Sequence, residues 1–399
     1  MTETKLRTGL ILLIGALGVL QPFSLDPYLA NISFIAHDLN VAQTLIAQNL
    51  TALTLGISVG TVVAGPMSDA IGRRKPILFA LLGYVGAALM TSIAGSVEVF
   101  FTGRILQGFF ASAAAVIANA MLRDMYEGLL LIKAVGRSML LMATSWFIGP
   151  IFGSYLQSFT DWRGLGLILA TLATGLLVLI FFKLPDTMTK EQRTKSTAKE
   201  VAKRFTYLLR DRVFLGLLIV QSCVSISLFA YLNVGPFIYD TVYKIDPAQV
   251  GIFLSINSVG AYIGSQLGTK LSALIKPQYA LLVALVIGSA AGIVQILTTS
   301  MNLGFAFYTG MLAIFAIGFG TTVTPLLGLA MASHPNEAGT AAAVLAVSGT
   351  VATTIAGAYY AILDHTSSIG IGFTQAGFMV LGIIILFVVV KPKNLEVMK

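Results

Sequence analysis

The chain has 399 residues, of which 56% are hydrophobic and only 11% charged, and its mean hydropathy is +0.87. A soluble domain carries about 25% charged residues, so this composition excludes a soluble enzyme or binding domain and describes a chain of many membrane crossings. The net charge of +8 raises nucleic acid as a partner, but in a membrane protein the placement of the charges outweighs their sum.

Apolar runs recur along the chain, each near the roughly 20 residues that cross hydrocarbon as a helix. The alternation over about 10 residues expected of a membrane β-barrel is missing. The runs predict helices 1 to 12 at 7–28, 43–67, 76–94, 98–122, 134–157, 164–184, 212–239, 248–271, 277–298, 302–332, 337–362 and 370–390. The start MTETKLR leads into a long apolar run with no small-residue cleavage pattern, which reads as a retained first helix and not a signal peptide. The single cysteine, Cys223, excludes a disulfide framework and a thiol-rich metal site.

With the N-terminus placed inside, only Arg163 and Lys244 of the 25 Lys and Arg fall outside, and Arg104 falls within helix 4. All the others line the inner side, as the positive-inside rule demands. Both termini are therefore expected in the cytoplasm. The basic excess answers to topology and to the anionic lipid of the bilayer, which argues against nucleic acid.

The longest polar segment, LPDTMTKEQRTKSTAKEVAKRFTYLLRDR (184–212), separates six helices from six. The expected organisation is an N-terminal six-helix bundle at 1–184, a cytoplasmic linker at 185–211 and a C-terminal six-helix bundle at 212–399. An amphipathic stretch from Thr197 to Leu209 is expected to lie on the membrane surface. The halves echo each other: Ser58-Val59-Gly60 in helix 2 recurs as Ser258-Val259-Gly260 in helix 8, and Lys75-Pro76 recurs as Lys276-Pro277. The fold class is thus all-α and polytopic, twelve transmembrane helices in two pseudo-symmetric bundles, the duplicated arrangement of secondary transporters.

Helix 1 ends in QPFSLDPYLANISF (21–34), where Asp26 is the only acid between Leu10 and Ala36. Either it marks the watery end of a helix stopped by Pro27, or it sits in the bilayer and titrates. The loop after helix 2 reads GPMSDAIGRRKP (65–76). Gly65 suits close backbone approach, Gly72 a tight turn, and Asp69 with Arg73 and Arg74 places charges at a helix end. Here the chain resembles the Major Facilitator Superfamily, whose signature G-x-x-x-D-x-x-G-R-[RK] is intact from Gly65 to Arg74. The resemblance implies a cytoplasmic gate, with Asp69 facing the start of helix 11 near Asn336 to Gly339 and the arginines reaching Asp124 or Glu127. The second-half loop GSQLGTKLSALIKP lacks the acid and the paired arginines, so a gate there is expected to be weaker.

Helix 4 carries TGRILQGFFASAA (102–114). An arginine in hydrocarbon costs at least about 2.5 kcal/mol on insertion scales, so Arg104 needs a cavity or a partner, unless it snorkels from its depth of roughly 9 Å. Arg104, Gln107, Gly108 and Ala111 share one helix face, and the run is similar to the superfamily's R-x-x-Q-G pattern, which implies proton transfer. Helix 5 contains GRSMLLMATSWFIGPIFGS (136–154), in which Gly149, Pro150 and Gly153 suit a kink and close packing. Their spacing resembles the antiporter pattern G-x8-G-x3-G-P-x2-G-G of drug/proton exporters, with Ser145 and Ser154 replacing two glycines. Together with HPNEAGTAAAVLAVSGTVATTIAG (334–357) and NAMLRDMY closing helix 4, these pieces resemble the bicyclomycin/chloramphenicol-resistance branch. Its D-x-Y-L-P motif keeps Asp26, Tyr28 and Leu29 here, while Ala30 replaces the proline.

No G-x-x-x-x-G-K-[ST] sequence occurs, so ATP is not the expected fuel. His37, His334 and His365 are all expected in loops, and no catalytic or metal constellation can be assembled. No enzyme activity, metal or cofactor is expected. Of seventeen acidic residues, the spans bury essentially Asp26 alone. A lone carboxylate at the level of Arg104 suits protons better than sodium, which prefers several oxygen ligands, and the energy source expected is the proton gradient. Candidate cavity residues are Tyr28, Asn31, Gln48, Asn49, Gln107, Asn119, Gln221, Tyr231, Asn233 and Asn257, although polar side chains in apolar helices also serve as interhelical hydrogen bonds.

The function expected is proton-coupled export of lipophilic drugs or related small molecules by alternating access. A dedicated exporter of one metabolite, such as an amino-acid derivative, sugar or siderophore, and a non-transporting membrane sensor stay open. The resemblance further implies a monomer in a bacterial cytoplasmic membrane.

Overall fold

A computed structural model describes residues 8–29, 31–126, 128–156, 159–188, 193, 198–334, 337–363 and 367–391; the side chains of some helical residues, Asp26, Trp146 and Ser154 among them, lie outside that description. Among the described residues there is no strand, and twelve helices are long and apolar enough to cross a membrane. They are α1 (Thr8–Leu29), α2 (Gln43–Ile71), α3 (Arg74–Ser92), α4 (Val97–Met125), α5 (Lys133–Gly153), α6 (Trp162–Lys183), α7 (Arg212–Val242), α8 (Gln249–Leu274), α9 (Pro277–Ser300), α10 (Phe305–Ser333), α11 (Thr340–Ile362) and α12 (Ile369–Val390). Each overlaps the span its apolar run predicts. The chain is a multi-pass membrane protein.

Local chemistry sets several boundaries. The side chain of Asp161 accepts from Gly164 N at 2.9 Å at the start of α6, and that of Asp211 accepts from Val213 N at 2.8 Å at the start of α7, satisfying donors a helix cannot satisfy internally. Pro27 does not stop α1, which continues through Pro22 and Pro27 to Leu29. Asp26 is therefore flanked by helical residues on both sides, three residues before the last residue of α1. Just beyond, Asn31 Nδ2 donates to Pro27 O at 2.9 Å, closing off one of the last carbonyls of α1.

The chain divides into two units, Met1–Val201 and Ala202–Lys399. In the first, α1 packs on α4, α5 and α6, α2 on α4, and α3 on α4 and α6. In the second, α7 packs on α10, α11 and α12, α8 on α10, and α9 on α10 and α12. Adding six to each helix number of the first unit generates the second. The repeated Ser-Val-Gly has a physical basis in this scheme. A side chain on Gly60 would run into Phe109 of α4, and one on Gly260 would meet Ala313 O of α10 at 2.8 Å. Both glycines keep the same helix pair in close contact, which matters in lipid because association there depends on dispersion and shape.

In the helix Ala198–Leu209, Leu208 is fully buried in the core of the second unit with Phe214 and Leu217, and Phe205 packs against the same cluster, while Tyr207 and Leu209 are exposed. Protein thus covers part of its apolar side. One expectation needs correction. His37 lies in a short helix, Ile32–Asp38, between α1 and α2 and not in a loop. His334 directly follows α10, and His365 lies outside the described residues.

Candidate functional site

In the first unit, α4 places Arg104 in the interior with no exposed surface. Its Nη1 donates to Gln107 Oε1 at 2.9 Å, one helical turn on, and its Nη2 to Asn49 Oδ1 at 3.2 Å on α2. The guanidinium lies over the ring of Tyr28 on α1, with Cζ 4.1 Å from the ring centroid. Snorkelling is thereby overturned for Arg104, because neighbouring helices supply its contacts and none of its surface reaches solvent. A desolvated cation on an aromatic face is worth about 2 kcal/mol, less than the full cost of moving an arginine from water into hydrocarbon. Neutral partners spread the charge without cancelling it. Arg104 Nε, Gln107 Nε2 and the Tyr28 hydroxyl have no hydrogen-bond partner among the described residues.

The backbone of Asp26 lies in α1 two residues before Tyr28, and its side chain is outside the described residues. Gly153 of α5 faces this point. A Cβ there would stand 2.8 Å from both Cβ and O of Pro27, so the absent side chain lets α5 rest on the α1 backbone beside Asp26. Gly149 and Pro150 are buried in the same helix, which runs on through the proline.

The second cluster lies at the far end of α2. Gly72 takes φ +93°, a conformation that disfavours any side chain, and a Cβ on it would stand 2.7 Å from Asp186 Oδ2. This turn swings Arg73 beneath α4. Arg73 Nε donates to Asp124 Oδ2 at 2.8 Å, and Nη1 donates to Asp69 Oδ1 at 2.5 Å and to Ser68 Oγ at 2.7 Å. Its backbone N–H donates to Asp186 Oδ1 at 3.1 Å. Burial alone would lower the Arg73 pKa, but the hydrogen bonds and charges of Asp124 and Asp69 prevail and raise it. Asp186 in turn pairs with Arg193 at 3.1 Å.

The expectation that both arginines reach the acid of α4 is half right. Arg74 instead donates from Nη2 to Phe181 O at 2.6 Å near the end of α6 and lies over the Phe181 ring. Adjacent residues at a helix start point in different directions, so one guanidinium reaches α4 and the other α6. Gly65 has no described atom within 4 Å of its Cβ position, so the close approach read for it is made instead by Gly56 and Gly60 against α4. Glu127 and Asn336 lie outside the described residues.

Among the other cavity candidates, Tyr231 and Asn257 meet in the second unit, where Asn257 Nδ2 donates to the Tyr231 hydroxyl at 2.7 Å. Asn31 and Asn233 bond carbonyls four residues earlier in their own segments, and Gln221 Nε2 donates to Ser225 Oγ at 3.1 Å. Gln48 is half-buried between two helical segments, and Asn119 is exposed on α4. Asp186, Ser68, Phe100 and Trp162 were not singled out from sequence. Asp186 had a visible signal, an acid just after the last residues of α6, but its partner Arg73 is 113 positions away.

Twelve crossings in two units of one repeated packing plan, with a buried arginine in one of them, define a membrane transporter of the secondary type. The profile of the Major Facilitator Superfamily matches residues 12–357, and the chain belongs to that family. It is 30% identical to "Uncharacterized MFS-type transporter YdgK" of Bacillus subtilis (strain 168), over 86% of this chain and 85% of that one. It is 28% identical to the "Bicyclomycin resistance protein homolog" of Haemophilus influenzae, over 96% of each chain. The crystal structure of a D-xylose-proton symporter superposes with a TM-score of 0.76, covering 97% of this chain and 99% of that one, at 14% identity.

Proposed function

We propose that the protein exports lipophilic drugs or related small molecules in exchange for protons, by alternating access. The observation that carries this reading is the fully buried Arg104, held by Tyr28, Gln107 and Asn49 and by no described carboxylate. An arginine keeps its proton, so the titrating partner must be another group. The candidate for that group is Asp26, an acid within the α1 span two residues before Tyr28. In one state Asp26 is ionised and paired with Arg104 or a cationic substrate; in the other it is protonated.

The resistance named for the Haemophilus influenzae relative supports drugs as the cargo. The Arg73, Asp69 and Asp124 cluster then serves as the cytoplasmic gate, with both termini in the cytoplasm of a bacterial cell. The working unit is a monomer with no cofactor, and no reaction is catalysed beyond transport. The test is a proteoliposome assay with an imposed pH gradient and a panel of lipophilic cations, neutral antibiotics and metabolites. Flux of several drugs, lost in Asp26→Asn while the folded protein remains in the membrane, is expected. Wild-type flux by Asp26→Asn overturns the proton site, and flux of a single metabolite overturns the drug reading.

A further inference from the structure

At one end of the first unit, Asp38 closes the short helix that follows α1, and Oδ2 of this residue accepts from two donors on α6, Trp162 Nε1 at 3.1 Å and Arg163 Nη1. Arg163 also donates from Nη2 to Ala94 O at 3.0 Å, and its own carbonyl accepts from Ser92 Oγ at 2.7 Å at the end of α3. One carboxylate and one guanidinium thus tie together the extension of α1, the end of α3 and the start of α6. From this clasp an aromatic column runs inward. The Trp162 ring meets Phe100 edge-on at 5.6 Å and 88°, and Phe100 meets Tyr28 at 6.2 Å. Tyr28 carries Arg104 on its face. All three rings are 2% exposed or less, so none can turn without displacing the next, as close-packed interiors shift between discrete arrangements.

We propose that Asp38 and Arg163 are positioning residues for the Arg104 site, acting through the column Trp162, Phe100 and Tyr28. Any exchange of partner at Arg104 requires Tyr28 to move, and the column carries that movement to the clasp. The clasp in turn holds Tyr28 where it can face the guanidinium. The transport role of this coupling rests on the reading above; the coupling itself does not.

The chain has two tryptophans, so the difference between wild type and Trp162→Phe isolates the Trp162 emission in purified protein. Arg104→Gln is expected to shift that emission by several nanometres, and Phe100→Leu to abolish the shift. Should Arg104→Gln not fold, Tyr28→Leu gives the same readout. In proteoliposomes, Asp38→Ala and Phe100→Leu are each expected to lower turnover about tenfold with KM little changed, and the double variant to lose no more than either single one. Coupled residues on one path are non-additive in this way. An unshifted Trp162 emission, or single losses that multiply, overturns the proposal. If wild type moves no compound, the transport reading fails and the Trp162 response alone decides the coupling.

Discussion

The Arg104 guanidinium rests on the face of Tyr28, its Cζ 4.1 Å from the ring centroid, while the Tyr28 hydroxyl has no hydrogen-bond partner among the described residues. Tyr28 therefore serves Arg104 with its π-face and not with its oxygen. Tyr28→Phe is expected to transport within about twofold of wild type. Tyr28→Leu removes roughly 2 kcal/mol of desolvated cation–π attraction, about a thirtyfold effect at 1.4 kcal/mol per decade. Initial rates of proton-driven flux compare the two, and equal losses would contradict the ring's role.

Arg73 is a hub of fixed geometry: its side chain donates to Asp124, Asp69 and Ser68 at once. A lysine has a charge but no planar fork. Arg73→Ala leaves two partly exposed carboxylates without their cation and is expected to cost about 1.5–3 kcal/mol, the range for hydrogen bonds to charged groups, with Arg73→Lys in between. Thermal unfolding in detergent ranks the three proteins.

Glycine substitutions separate packing from composition within α5. A Cβ at Gly153 would press on Pro27, whereas no described atom lies within 4 Å of the Cβ position at Gly136. Gly153→Ala is expected to force α1 and α5 apart and lower both stability, by about 1–3 kcal/mol as overpacking does, and flux. Gly136→Ala is expected to leave both unchanged, and the two unfolding temperatures measured side by side decide it.

The Arg163 hydrogen bond holds the Asp38 carboxyl below the usual carboxylate range, with the Arg163 charge and the Trp162 hydrogen bond adding to the effect and its small burial opposing it. A depressed acid stabilises the fold above its unfolded value, about 3.9, and loses that contribution as pH falls through the lower folded value. The difference in unfolding temperature between wild type and Asp38→Asn should therefore shrink as pH falls below about pH 4.

Much of the architecture was legible because the bilayer admits few solutions. Twelve apolar runs, a one-sided distribution of Lys and Arg and a repeated Ser-Val-Gly led to helix number, expected orientation and duplication, and the loop from Gly65 to Arg74 stood out as a string of charges and glycines. Hydropathy is a local property of the chain, and so are turn residues and motif spacing. The amphipathic linker helix shows the limit of that information, since its period reveals an apolar face but not that Leu208 packs on Phe214 and Leu217.

Partnership was decided by tertiary structure alone. Arg104 could be read as buried, but Asn49 and Tyr28 became its neighbours only when α2 and α1 closed on α4. Arg73 and Arg74 are indistinguishable in sequence, yet the turn at Gly72 sends one to Asp124 and the other to Phe181. Asp38 and Trp162, 124 positions apart, meet at the end of the column that leads to Tyr28. Sequence determines what each helix can bury, while the direction of a side chain and the identity of its neighbour follow from how the helices cross, a property of the packed bundle and not of any one segment.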